Sequence, residues 1–254
     1  MAHTKLNTFH LFAGAGGGIL ADLLLGHNPI GACEIMPYPR DVLLARQRDG
    51  ILPSFPIWDD VCTLDGTPWR GSVDVLCGGF PCQDISSART NNHVNGKQLG
   101  LDGAKSGLWR HMARVIMEMQ PKFAFIENSP NLRTKGLVTV LQDLDAMGYH
   151  TRRLVLGSGH LGADHHRKRM WILAHPNVSQ RKRGGIPSRI HQEHTYSSGP
   201  DWRESESRLE RVKDGMANRL DRLKAIGNGQ DSRVAATAFN ILSEGLTSIL
   251  TTNN

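Results

Sequence analysis

Thr8-Phe9-His10-Leu11-Phe12-Ala13-Gly14-Ala15-Gly16-Gly17-Gly18-Ile19 is the stretch whose reading decides the fold. The apolar run over 8–12 has the length of a buried strand, the glycines after it permit a tight turn, and apolar positions at helical spacing resume over 19–25. Strand, glycine turn and helix in that order open a βαβ unit. The alternation continues outward, with strands expected over 30–34, 73–77, 123–126, 151–156 and 170–173. Helices are expected over 40–48, 108–119 and 137–147, and a last one over 232–250. Gly26, Gly50 and Gly148 stand where helix C-terminal caps belong. The pattern predicts an α/β fold built on a doubly wound, mostly parallel sheet.

The glycine turn also has a chemical reading. Its backbone N–H groups and the following helix dipole can face a ligand. Gly14-x-Gly16 matches the start of a dinucleotide fingerprint, but Ile19 occupies the third glycine position, which disfavours an NAD site. Glu34, at the end of the second strand and 20 residues after Gly14, stands where a carboxylate accepts from ribose hydroxyls. Asp60, near the end of a third strand, can accept from an adenine amino group, with Phe12 or Ile35 against the ring. Asp60 can equally be a plain turn former.

The 254 residues suffice for one large domain with a small appendage. No apolar run approaches the roughly 20 residues of a membrane span, and the polar start over 1–7 does not read as a signal peptide, so a cytoplasmic protein is expected. Cys33, Cys62, Cys77 and Cys82 show no Cys-x-x-Cys spacing, which argues against a zinc ribbon and a disulfide framework. No cysteine or carboxylate accompanies His165 and His166 at ligand spacing, so no metal site is expected. The net charge of +6 is concentrated: residues 175–224 carry 11 Lys and Arg against 7 Asp and Glu. Such a footprint suits a polyanion, or is a solvated surface. Two segments break the βα pattern. Residues 84–106 are polar and rich in Gly and Asn, and read as a loop over a site. Residues 176–208 have almost no apolar periodicity and read as a small irregular insertion.

Gly79-Phe80-Pro81-Cys82-Gln83 follows the strand over 73–77. A cysteine after a rigid proline at a strand-to-loop edge, next to Gly78-Gly79, suits a thiolate aimed at an electron-poor carbon; the other reading is a small buried hydrophobe.

Five blocks together resemble the DNA (cytosine-5)-methyltransferases and occur in that family's order: Phe12-Ala13-Gly14-x-Gly16-Gly17, Gly79-Phe80-Pro81-Cys82-Gln83, Glu127-Asn128, Arg167-x-Arg169 and Gly227-Asn228. The resemblance implies a class I S-adenosylmethionine-dependent, Rossmann-like catalytic domain over 1–174. It also implies a small target-recognition region over 175–218 and a C-terminal helix returning to the catalytic domain over 219–254. S-adenosyl-L-methionine is the implied cofactor, contacted by Phe12, Ala13, Gly14, Gly16, Gly17, Glu34, Ile35, Asp60, Val61, Phe80 and Asn228. Cys82 is the implied nucleophile at cytosine C6, Glu127 the acid toward N3, and Arg167 and Arg169 the groups holding O2 and the carboxyl. The implied partner is double-stranded DNA with the cytosine flipped out, met by Gln83, Ser86, Arg181, Lys182, Arg183 and Arg189 at a short recognition site. A monomer, in a bacterial or phage-infected cell, is expected. Four places depart from the family pattern: His10 stands for its usual Asp, Ile35 for an aromatic, His165 for a Gln, and the pair Gly229-Gln230 for a small residue followed by Val. An RNA cytosine methyltransferase and a catalytically silent DNA-binding relative are the alternatives.

Overall fold

Alternating side chains on short, β-branched and aromatic segments build a sheet buried on both faces. In a computed structural model, which describes residues 5–80, 107–165, 167–176 and 229–246, these segments are β1 (Asn7–Leu11), β2 (Asn28–Cys33), β3 (Ile57–Trp58), β4 (Val75–Gly78), β5 (Phe123–Asn128), β6 (Tyr149–Gly157) and β7 (Lys168–Pro176). The helices among the described residues are α1 (Gly17–Leu25), α2 (Pro37–Arg48), α3 (Gly107–Met119), the single turn α4 (Leu132–Lys135), α5 (Leu137–Ala146) and α6 (Ser232–Ser243). The strands form one seven-stranded sheet in the order β3-β2-β1-β4-β5-β7-β6.

β1, β2, β3, β4 and β5 run parallel. β7 is antiparallel to both β5 and β6. The hairpin has a simple cause: a parallel connection needs a crossover of a dozen or more residues, usually a helix, and only a 3₁₀ turn, Ser158–Leu161, and a short loop join β6 to β7. Both strands run well beyond the expected 151–156 and 170–173.

Side-chain alternation assigns each face its helices. Leu76, Ala124, Ile126 and Ile172 point toward Met112, Val115 and Ile116 of α3 and Val140 and Leu144 of α5. Their neighbours Val75, Cys77, Phe123, Phe125, Trp171 and Leu173 point toward Ala21 of α1 and Val234, Ala238 and Phe239 of α6. Phe125 stacks on Trp171 with centroids 5.2 Å apart and meets Phe239 edge-on at 5.3 Å. Each such fully buried large side chain contributes about 1.5–3 kcal/mol. A third cluster of Ile19, Ala32, Leu43, Leu52 and Phe55 seats α1 and α2 on β2.

One expectation is corrected at the C-terminal end. The helix expected over 232–250 stops at Ser243, where Glu244 leaves helical geometry and Gly245 takes φ 75°. Its start is set by Asp231, whose carboxylate accepts from the N–H groups of Arg233 and Val234 at 3.1 and 3.3 Å, capping α6.

Candidate active site

Strand order reverses at β1, between β2 on one side and β4 on the other. In doubly wound sheets the crevice outside the carboxyl ends of the strands at such a point receives the ligand. The glycine turn leaves β1 there, Gly79-Phe80 leaves β4, and Glu127-Asn128 ends β5, so three of the sequence blocks meet at one edge.

The glycine turn is held by its backbone. Phe12 and Gly14 take φ of 54° and 55°, and Gly16, the N-cap of α1, takes 91°. The Ala13 N–H donates to the Cys33 carbonyl at 3.1 Å, and the Gly14 N–H to Glu34 Oε2 at 2.7 Å. The other Glu34 oxygen accepts from the Met36 N–H at 2.8 Å. No side chain caps α1. A buried carboxylate beside an uncapped helix N-terminus suits a ligand carrying hydroxyls at one end and an anionic group at the other. Ile35 is 62% exposed next to Glu34 and offers an open apolar face. These residues fit S-adenosylmethionine.

Three further expected cofactor contacts, Asp60, Val61 and Phe80, have partners within the protein. Asp60 Oδ1 accepts from the Cys62 N–H at 2.8 Å, which closes a turn and holds its carboxyl below the usual carboxylate range. Val61 is buried in the core, its carbonyl accepting from Arg114 at 2.7 Å. The Phe80 ring is buried against Trp109, centroids 5.4 Å apart. Cys82, Gln83, Ser86, Arg181, Lys182, Arg183, Arg189 and Asn228 lie outside the described residues, as do the segments 84–106 and 177–208.

The acid end of the crevice is tightly tied. Glu127 Oε1 pairs with Arg169 Nε at 2.7 Å, with 12% of the Glu127 side chain exposed. Burial pushes the Glu127 carboxyl up; Arg169, Arg167 and hydrogen bonds from Gln230 and Arg169 oppose it, and the net direction remains upward. Arg167 reaches the other way, donating to the Gly229 carbonyl at 2.6 Å. Asn128 is 3% exposed and donates through Nδ2 to the Phe80 carbonyl at 2.8 Å, while its Oδ1 accepts from the Ser129 N–H at 2.8 Å. The residue after the acid therefore anchors the segment that runs into Pro81-Cys82.

Two positions at this edge carried little sequence signal. Gln230, visible only as a departure from a family pattern, sits where its carbonyl would overlap a Cβ on Gly17 and its Oε1 would lie 2.6 Å from one on Gly18. Ser158 donates to Asp231 at 2.7 Å and so fixes the 229–231 segment on the β6–β7 hairpin. An Asp-Ser pair before an apolar helix is a readable capping signal, but its tertiary partner is not.

Beneath the turn, His10 Nε2 lies 2.5 Å from Asp22 Oδ2, the same oxygen accepts from Thr8 Oγ1 at 2.5 Å, and Cys77 closes the cluster. Two ligands of one tetrahedral zinc stand about 3.3 Å apart, given bonds near 2.0–2.2 Å, so the His10–Asp22 pair is a hydrogen bond and not half of a metal site.

The sequence matches the family model for C-5 cytosine-specific DNA methylase over residues 6–237. It is 29% identical over 172 residues to the Type II methyltransferase M.CviJI of Paramecium bursaria Chlorella virus IL3A, covering 67% of this chain and 43% of that protein. It is 30% identical over 178 residues to the Type II methyltransferase M.HhaI of Haemophilus parahaemolyticus, covering 68% of this chain and 50% of that protein. The fold matches the crystal structure of the S. pombe Dnmt2 methyltransferase with a TM-score of 0.53 at 17% identity, covering 70% of this chain and 52% of that one. The chain thus spans half or less of the length of these curated relatives. With a family match across most of the sequence and the glycine turn, Phe80 and Glu127 gathered at one sheet edge, this chain belongs to the C-5 cytosine-specific DNA methylases.

Proposed function

We propose that the protein methylates C5 of a flipped-out cytosine in double-stranded DNA through a covalent adduct between Cys82 and C6. The observation that supports this most directly is the partly buried Glu127–Arg169 pair beside Gly79, on the segment leading to Cys82. Cytosine C5 is a poor nucleophile. Addition of the Cys82 thiolate to C6 breaks the C5–C6 double bond and makes C5 the carbon of an enamine, while charge builds on N3. Glu127, its carboxyl pushed toward the neutral form by burial, donates a proton to N3. Arg169 fixes the carboxyl by a charge-assisted bond, and Arg167 holds the Gly229 segment beside it. S-adenosylmethionine, held by the glycine turn, Glu34 and Ile35, supplies an electrophilic methyl group. C5 takes that methyl group, after which loss of the C5 proton to solvent, return of the N3 proton to Glu127 and breaking of the Cys82–C6 bond restore the acid, the thiolate and the aromatic base.

Residues 175–218 serve as the target-recognition region, with Arg181, Lys182, Arg183 and Arg189 as DNA contacts, the first three on phosphates, and a site of two to four base pairs. That length follows because so short a region supplies few base contacts, each worth about 1–3 kcal/mol of discrimination. The test is bisulfite sequencing of DNA from a methylation-deficient host expressing the protein, joined to trapping on duplexes in which 5-fluorocytosine replaces the target. Methylation at one short motif and a covalent adduct that Cys82→Ser abolishes are expected. Methylation without any adduct on the fluorinated duplex would overturn attack at C6.

A further inference from the structure

Gln230 stands between the two halves of the crevice. Its Nε2 faces Gly79, where a Cβ would lie 3.3 Å from it and 2.6 Å from Glu127 Oε2, and its side chain hydrogen-bonds to Glu127. At its other end, Oε1 faces Gly18 beside the His10 ring, where a Cβ would lie 2.6 Å from Oε1 and 3.2 Å from His10 Nδ1. The absence of side chains on Gly17, Gly18 and Gly79 makes room for this one residue. Three contacts hold it there: Arg167 on the Gly229 carbonyl, Ser158 on Asp231, and the Asp231 cap of α6.

We infer that Gln230 is a positioning residue for methyl transfer, its amide N–H orienting the Glu127 carboxyl and setting its protonation from the cofactor side of the site. The inference rests on the reading of Glu127 as the acid. The charged groups facing Glu127 are Arg169 of β7 and Arg167 just before that strand, with Asp231 facing Arg167 in turn. Gln230 is the neutral donor among them. A donor to the carboxylate favours its charged form, so removing that donor leaves burial less opposed and makes the acid weaker.

The test is the single-turnover rate of methyl transfer from tritiated S-adenosylmethionine to plasmid DNA from a methylation-deficient host, measured across pH. The protonated carboxyl is the active form, so the rate falls as pH rises through its pKa. Gln230→Met keeps length and loses the donor; its alkaline limb is expected about one pH unit higher, a tenfold change in ionisation or about 1.4 kcal/mol. Gln230→Leu is the second variant should Met pack badly, and cofactor binding with a melting curve certifies each fold. In a Glu127→Gln background, Gln230→Met should change the rate no further, because the group it acts through no longer titrates. An unmoved alkaline limb in both variants, or an equal loss of rate in the Glu127→Gln background, would overturn the inference while leaving Glu127 as the acid. A Glu127→Gln enzyme that ran at the parent rate would instead remove the acid reading on which the inference depends.

Discussion

Asn128→Asp isolates one hydrogen bond at the anchor of the nucleophile segment. The new side chain keeps the shape and the acceptor for the Ser129 N–H, but loses the donor 2.8 Å from the Phe80 carbonyl and sets a carboxyl at a position only 3% exposed. An orphaned buried carbonyl costs about 1–3 kcal/mol, and keeping the new acid protonated or desolvated adds to it, so about 2–4 kcal/mol of stability should be lost. For a chain of this size each kcal/mol is worth roughly 2–4 °C, so a melting temperature lower by roughly 4–16 °C is expected in calorimetry. The kinetic effect should exceed the thermodynamic one. Phe80 precedes Pro81-Cys82, and a reacting atom displaced by about 1 Å loses on the order of 100-fold in rate. Adduct formation with 5-fluorocytosine duplexes should therefore slow by about that factor, while cofactor affinity, which depends on the glycine turn and Glu34, holds. A variant that melted within about 2 °C of the parent and trapped DNA at the parent rate would refute the anchoring role.

Gly17→Ala should cost cofactor binding and α6 docking together. Its Cβ would overlap the Gln230 carbonyl, a backbone atom that cannot rotate away, so α1 and the 229–231 segment must separate; isothermal titration with S-adenosylmethionine and a melting curve should both show large losses, and parent-like values in either would contradict the close approach. Acid stability should report on Asp22. Burial opposes its charge, but His10, His27 and Thr8 more than compensate and bring the carboxyl from 3.8 to about 2. A group with a depressed folded pKa contributes stability that is present above about pH 4 and lost as pH falls toward 2, here about 2 kcal/mol. Urea unfolding at a series of pH values should show that extra slope in the parent and its absence in Asp22→Asn; equal slopes would exclude the network as its source.

Much was legible before any coordinates. Strand periodicity located the central strands to within a few residues, because the inner positions of a sheet buried on both faces are a solid apolar run whatever surrounds them. The caps at Gly26, Gly50 and Gly148 were equally plain, since only glycine enters the left-handed region without strain: φ is 74°, 72° and 83° there. The family resemblance also marked Glu127 and Arg169, which the structure pairs, and Cys82, which lies outside the described residues. Other features were decided only by assembly. The β6–β7 hairpin runs antiparallel because its connection is too short for a crossover, a fact of chain length weighed against sheet geometry. Asp60 and Val61, paired in the sequence as cofactor contacts, stand at a turn that leaves the first half-buried and buries the second. Gln230 looked like a lost valine until three glycines, two opening α1 and one just after β4, left the space it fills. A contact among segments more than a hundred residues apart has no local signature, because it depends on which loops the strand order brings to the same edge.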